Sequence, residues 1–174
     1  MARTSRIHRT TAETDVRLEL DLDGSGTARV ATGVGFFDHM LNLLARHGAI
    51  DLTVEARGDL DVDQHHTVED VAICLGRAFC EALGDKAGIV RMSNAEVPMD
   101  EALSSVAVDI SGRGSGYVFA PFTGSMIGDL ESDMVRHFLQ TFAVEGRLRF
   151  LSRAHRVSRP RPSNTRLAGS GTGV

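Results

Sequence analysis

The sequence predicts an α/β protein built from a duplicated ββαβα unit whose second copy is incomplete. Three observations predict it. Some stretches alternate apolar and polar residues with the period of a strand; others switch to the period of a helix; and the order of the two kinds begins again in the second half of the chain. Residues 16–22 (VRLELDL) alternate as a half-exposed strand. Asp23-Gly24-Ser25-Gly26 is turn chemistry, and residues 27–31 are expected to return as the hairpin partner. Residues 36–44 (FFDHMLNLL) take up a helical period that ends near Gly48. Residues 50–56 (IDLTVEA) alternate again. Val68, Val71, Ala72, Leu75, Phe79 and Leu83 then mark one stripe of a helix that Gly84-Asp85 ends.

The second half repeats the spacing. Glu13 precedes Gly24 by 11 positions and Glu101 precedes Gly112 by 11, with VRLELDLD and SSVAVDIS between them. Residues 130–143 echo the first short helix, and Gly146 takes the place of Gly48. A strand and a long helix should follow. The chain instead runs Ser158-Arg159-Pro160-Arg161-Pro162-Ser163-Asn164-Thr165, whose prolines forbid an uninterrupted helix, and then a small, Gly-rich stretch.

Composition narrows the function classes. The chain has 174 residues, 42% hydrophobic and 24% charged, enough for one domain with a core and unlike a disordered or fibrous chain. No apolar run approaches the roughly 20 residues of a membrane span. The N-terminal residues MARTSRIHRT lack the apolar core of a secretory signal, so a cytoplasmic protein is expected. Cys74 and Cys80 are six apart, a spacing that fits neither a redox pair nor a zinc pair. All 23 acidic residues lie at or before Glu145, whereas 7 of the 19 basic residues follow it, so a body of net charge −11 precedes a +7 tail. An Arg-rich tail can bind nucleic acid. The acidic body, the single Tyr and the lack of Trp argue against that use, and no nucleic-acid partner is expected.

The strongest chemical signal is Asp61-Val62-Asp63-Gln64-His65-His66-Thr67-Val68-Glu69-Asp70. On a helix His65 and Glu69 are i, i+4 and His66 and Glu69 are i, i+3, which gathers imidazoles and a carboxylate at one helix mouth. That donor set suits Mn²⁺, Fe²⁺ or Zn²⁺. Adjacent histidines do not easily share one ion, so two ions, or one ion shared between elements, is the easier geometry. The same residues also read as a polar helix start with acids near the positive dipole end. His39, beside Asp38, reads as a second candidate or as a histidine held by that aspartate. Arg91 and Arg113 read as surface arginines or as phosphate holders.

Several ordered stretches resemble imidazoleglycerol-phosphate dehydratases. They are Glu13-Thr14, residues 32–41 (TGVGFFDHML), Gly58-Asp59 with residues 63–70 (DQHHTVED), residues 98–103 (PMDEAL) and residues 109–113 (DISGR). The resemblance covers residues 3–146. It implies a two-layer α+β fold with each sheet packed on helices. It also implies removal of water from imidazole glycerol phosphate through a metal-bound imidazolate, two Mn²⁺ ions per site, and a homo-oligomer of 24 chains. Carried over by position, it gives His39, His65, His66 and Glu69 as metal ligands and Glu13 and Glu69 as catalytic carboxylates. Glu13, His39, His47, His65, His66, Arg91 and Arg113 become substrate-binding residues. The implied division is a dehydratase-like domain over 1–146 (first repeat about 5–92, partial second repeat 93–146) and an atypical, poorly ordered tail over 147–174.

The departure lies after Gly146. The family continues with a Leu-His-Ile strand, a second His-His-x-x-Glu helix and a lysine. This chain has Leu148-Arg149-Phe150 and no later acid or lysine. The expectation is a replaced or out-of-frame ending that removes the last strand and helix, exposes apolar faces and deletes half of the metal ligands. A catalytically impaired chain that only binds metal or anion, or co-assembles with intact subunits, is the alternative reading.

Overall fold

The computed structural model describes residues 2–156. The Pro- and Gly-rich segment 157–174, on which the expectation of a disordered tail largely falls, lies outside the described residues. Ten strands and three helices follow in the order β1 (Thr4–Thr10), β2 (Thr14–Asp21), β3 (Ala28–Ala31), α1 (Gly35–Gly48), β4 (Asp51–Gly58), α2 (His65–Leu83), β5 (Met92–Met99), β6 (Ala102–Asp109), β7 (Ser115–Phe119), β8 (Met126–Ile127), β9 (Leu130–Glu131), α3 (Ser132–Glu145) and β10 (Arg149–Arg156).

The duplication is visible as topology. One sheet has the order β1-β2-β4-β3 and the other the order β5-β6-β10-β7, so each strand of the first has its counterpart in the second. In both, the last-named strand pairs parallel to its neighbour and the other pairs are antiparallel. The β8–β9 hairpin is an insertion between β7 and α3 without a counterpart between β3 and α1.

Two expectations are corrected, and one strand is added that the sequence did not announce. Residues 27–31 do not return on β2; β3 runs parallel to β4, and β2 lies between β1 and β4. Asp51 at the start of β4 explains this. Its Oδ1 accepts from the Ser25 and Thr27 N–H groups, both at 2.8 Å, and so draws the 24–27 turn across to β4. Strand β1 carries no apolar alternation to announce it. Its inward side chains include Ser5 and Arg9, which donate to Glu81 and Asp70 of α2, each at 2.8 Å. The last strand of the second unit is not lost: β10 sits between β6 and β7, paired on both sides, with Leu148 buried just before it.

The first sheet buries Val16, Leu18, Leu20, Leu52 and Val54 against α2, whose Val68, Val71, Cys74 and Leu75 complete the core. Desolvation there pushes the Cys74 thiol up to about 11. The second sheet is different. Strand β5 is exposed along its whole length, and the four strands of this sheet add no residue to the buried core. Among the described residues no helix lies across β5 and β6 as α2 lies across β1 and β2. An apolar groove of about 330 Å³ also opens between α1 and α3, lined by Phe37, Met40, Leu44, Met134 and Phe138 among others.

Candidate functional site

The site forms where the start of α2 faces α3, and the two helices cross in backbone contact about three turns further along, at Gly76. The crossing is close because Gly76 has no side chain: a Cβ there would lie 2.7 Å from Glu145 Cβ, 2.8 Å from the Gly146 nitrogen and 2.9 Å from the Phe142 carbonyl oxygen. Arg77 clamps the same crossing by donating to Glu145 at 2.8 Å, and the Phe79 ring meets Phe142 edge-on at 5.7 Å. These contacts aim the start of α2 at the second turn of α3. His65, Glu69 and His137 meet there, each offering one ligand atom within 4.8 Å of the others.

The three side chains are half-buried. His65 and His137 face each other with ring centroids 4.4 Å apart and planes 32° apart. His137 Nε2 lies 3.3 Å from Glu69 Oε1, yet this buried nitrogen makes no hydrogen bond of acceptable geometry. A buried ring nitrogen without a partner, flanked by a second imidazole and a carboxylate, is the donor set that a divalent transition ion satisfies.

His66 leaves this group. Consecutive helical side chains diverge by about 100°, and the His66 ring stands perpendicular to that of His65. Its Nδ1 pairs with Asp59 Oδ2 at 2.9 Å. The hydrogen bond to Asp59 holds the His66 imidazole above its ordinary pKa, burial opposes it, and the charges of Asp59, Asp63 and Glu13 add to it. Bonding Nδ1 to a carboxylate turns Nε2 outward as the available donor. Glu13 itself is exposed on the β1–β2 turn, its N–H donating to Thr11 Oγ1 at 3.2 Å.

The remaining candidates are dispersed. His39 is exposed on α1 beside Phe36, and Asp38 does not hold it; Asp38 Oδ1 instead accepts from the Thr32 hydroxyl at 2.6 Å and its N–H at 2.9 Å. His47 is exposed in the last turn of α1, away from the His65–His137 contact. Arg91, just before β5, forms a two-pronged pair with Asp109 at 2.7 and 3.2 Å. Arg113 is exposed in the β6–β7 turn at the same end of the second sheet.

The residue that reading the sequence missed is His137. The signal was present in the repeat. Aligning Gly48 with Gly146 aligns Ala45 with Ala143, both fully buried, and His39 with His137. The two histidines therefore hold equivalent places on α1 and α3. Helix α3 meets the start of α2, whereas α1 has no such helix across it among the described residues.

Fold and site together define a duplicated two-sheet α/β protein with imidazole and carboxylate donors gathered between two helices. The imidazoleglycerol-phosphate dehydratase family model matches residues 32–158. Curated relatives of that name include those of Gluconacetobacter diazotrophicus, 55% identical over 82% of this chain and 72% of the relative, and Methylibium petroleiphilum, 56% identical over 80% and 70%. The crystal structure of the Staphylococcus aureus dehydratase superposes with a TM-score of 0.79 at 31% identity, covering 88% of this chain and 84% of that one. The Pyrococcus furiosus enzyme in complex with (S)-C348 gives 0.74 at 30% identity, covering 86% and 80%. The chain belongs to the imidazoleglycerol-phosphate dehydratase family, which makes it a hydro-lyase of histidine biosynthesis.

Proposed function

We propose that this chain removes water from imidazole glycerol phosphate, giving imidazole acetol phosphate, at a divalent-metal centre held by His65, Glu69 and His137. The observation that carries the reading is the buried, unpartnered His137 Nε2 facing His65 and Glu69. The hydrogen to be removed sits on a carbon that is not acidic, so the charge that develops must be delocalised. A bound ion, Mn²⁺ by the family's habit, supplies Lewis-acid polarisation of the substrate ring.

The chain's own residues do the rest. His65 and His137 would each offer the ion an imidazole nitrogen, and Glu69 a carboxylate oxygen. His66, oriented through Asp59, offers Nε2 beside this group to the substrate or to a second ion. His39 occupies on α1 the place His137 has on α3 and is the candidate ligand for that second ion. Glu13, whose charge reaches His66, is the proton-carrying carboxylate. Arg91 and Arg113 lie at one end of the second sheet, where guanidinium forks suit a phosphate; Arg91 would exchange its Asp109 partner for it. Exposed Tyr117, Phe119 and Leu151 on neighbouring strands support assembly into an oligomer, 24 chains by the family pattern, and placement in the cytoplasm follows from the biosynthetic role.

A specific observation favours a second reading as well. His39 faces no helix equivalent to α2 among the described residues, and on this second reading the chain would be catalytically impaired or would work only beside intact subunits. Steady-state dehydration by the purified chain with added Mn²⁺ tests both. The first reading expects turnover that His137→Ala abolishes. Absence of turnover, restored by mixing with an intact homologue, overturns it in favour of the second.

A further inference from the structure

The donors of the proposed centre stand on helices whose starts converge on one short segment, residues 128–131, which belongs to the insertion between β7 and α3. Helix α1 has Val34 at its N-cap, which makes no side-chain capping bond. Asp129 takes over that role from 94 positions away: its Oδ2 accepts from Gly35 N–H at 2.6 Å and its Oδ1 from Phe36 N–H at 2.7 Å. A carboxylate at the positive end of the helix is well placed electrostatically, and these two N–H groups hold it below the usual carboxylate range. At the start of α2 the N-cap residue Gln64 likewise makes no capping bond; Asp63 Oδ1 accepts from the His65 N–H at 2.7 Å instead. Gln64, immediately before His65, uses its side chain outward. Its Nε2 donates to the Asp129 carbonyl oxygen, and its Oε1 accepts from Glu131 N–H at 3.2 Å. Glu131 is the N-cap of α3, the helix that carries His137. The segment bends at Gly128, whose φ of +63° suits glycine and where an added Cβ would press on Phe36 at 3.2 Å.

We infer that Gln64 is a positioning residue for the metal donors: its amide locks the first turn of α2 to the N-cap of α3 and so sets His65 and Glu69 against His137, while Asp129 anchors the same segment to α1. The inference rests on the metal reading above. The arrangement explains why a glutamine serves here. One amide supplies both a donor and an acceptor to two backbone groups of the other helix start, which neither a carboxylate nor an apolar side chain can do. A coordination sphere tolerates little displacement, and groups that orient ligands without touching the ion commonly govern 10- to 100-fold in affinity.

The test is Mn²⁺ titration followed by electron paramagnetic resonance, with the visible spectrum of the Co²⁺-loaded protein, on the full chain. Gln64→Leu removes both bonds; Gln64→Glu keeps the acceptor and loses the donor. The expected result is Mn²⁺ affinity falling about 10-fold or more in Gln64→Leu and less in Gln64→Glu. The Co²⁺ bands should shift in the same order, with circular dichroism at 25 °C unchanged. Asp129→Ala should also weaken binding, and it serves as the second probe should Gln64→Leu not fold. If His137→Ala loses the metal while Gln64→Leu and Gln64→Glu bind as wild type, the inference fails and the metal reading stands. If the wild-type chain binds no Mn²⁺, or His137→Ala binds as well as wild type, the metal reading fails and the inference with it.

Discussion

Substituting Gly76 by alanine should separate the two helices that make the site. Two opposing effects decide the outcome. Alanine in a helix interior is favoured over glycine by about 1 kcal/mol. Against this, the new methyl would lie 2.7–2.9 Å from three atoms of α3, two of them backbone, which cannot swing aside as a flexible side chain would. Overpacking of this kind costs about 1–3 kcal/mol, and backbone neighbours place Gly76 at the upper end. The net expectation is a loss of about 1–2 kcal/mol, or a fall in melting temperature of about 2–8 °C for a chain of this size. Gly48→Ala is the matched control. It ends α1, and its added methyl meets only Ile50, at ordinary van der Waals distances of 3.8–3.9 Å. Thermal denaturation followed by circular dichroism measures both variants, and Mn²⁺ titration measures the site. Gly76→Ala should melt lower and bind the ion at least about tenfold more weakly, since the donors sit on the helices it forces apart; Gly48→Ala should match or exceed wild type. A Gly76→Ala variant as stable as wild type, with unchanged metal affinity, would refute the close-crossing argument.

Other outcomes follow from single features. Cys74 is buried with its thiol pushed up to about 11, whereas Cys80 is only half-buried; at pH 8 iodoacetamide should label Cys80 in the native protein and Cys74 only after denaturant is added, and rapid native labelling of Cys74 would contradict the packing. Asp51 is held below the usual carboxylate range by the Thr27 and Ser25 N–H groups. Its ionised form therefore stabilises the fold above the ordinary carboxylate pKa, and that contribution is lost as pH falls through the depressed value. Urea midpoints of wild type and Asp51→Asn should accordingly differ at pH 7 and converge toward pH 3. Met40 and Leu44, 45% and 43% exposed, line the groove on α1; replacing both by Glu should reduce binding of an apolar dye and change stability by no more than about 1 kcal/mol in total.

How far the sequence could be read depends on whether a residue's role was local. The α2 stripe at Val68, Val71, Ala72 and Leu75 was legible because helix period and burial coincide. So were β2 and β4, each alternating with one face on the core. Strand β1 was not, because its inward Ser5 and Arg9 satisfy α2 with hydrogen bonds rather than apolar contact. The pairing of β3 could not be read from the Gly24-Ser25-Gly26 turn alone, since Asp51, 24 positions beyond Thr27, decides it. At the site, the spacing of His65 and Glu69 was informative, and the argument that adjacent histidines diverge agrees with the separate partners of His65 and His66. His137 needed the repeat to be carried one step further, from helix to residue. The junction at Gln64 and Asp129 had no sequence signal, because its bonds span 65 to 94 positions and end on backbone atoms.

The most direct measurement is Mn²⁺ affinity of the purified 174-residue chain and of its His137→Ala variant, followed by electron paramagnetic resonance of the free ion at pH 7.5. The α2–α3 centre calls for stoichiometric binding by the wild-type chain and a loss of about 100-fold or more in the variant, a ligand mattering at least as much as the groups that orient it. Equal binding by the two proteins, or none by either, would contradict it.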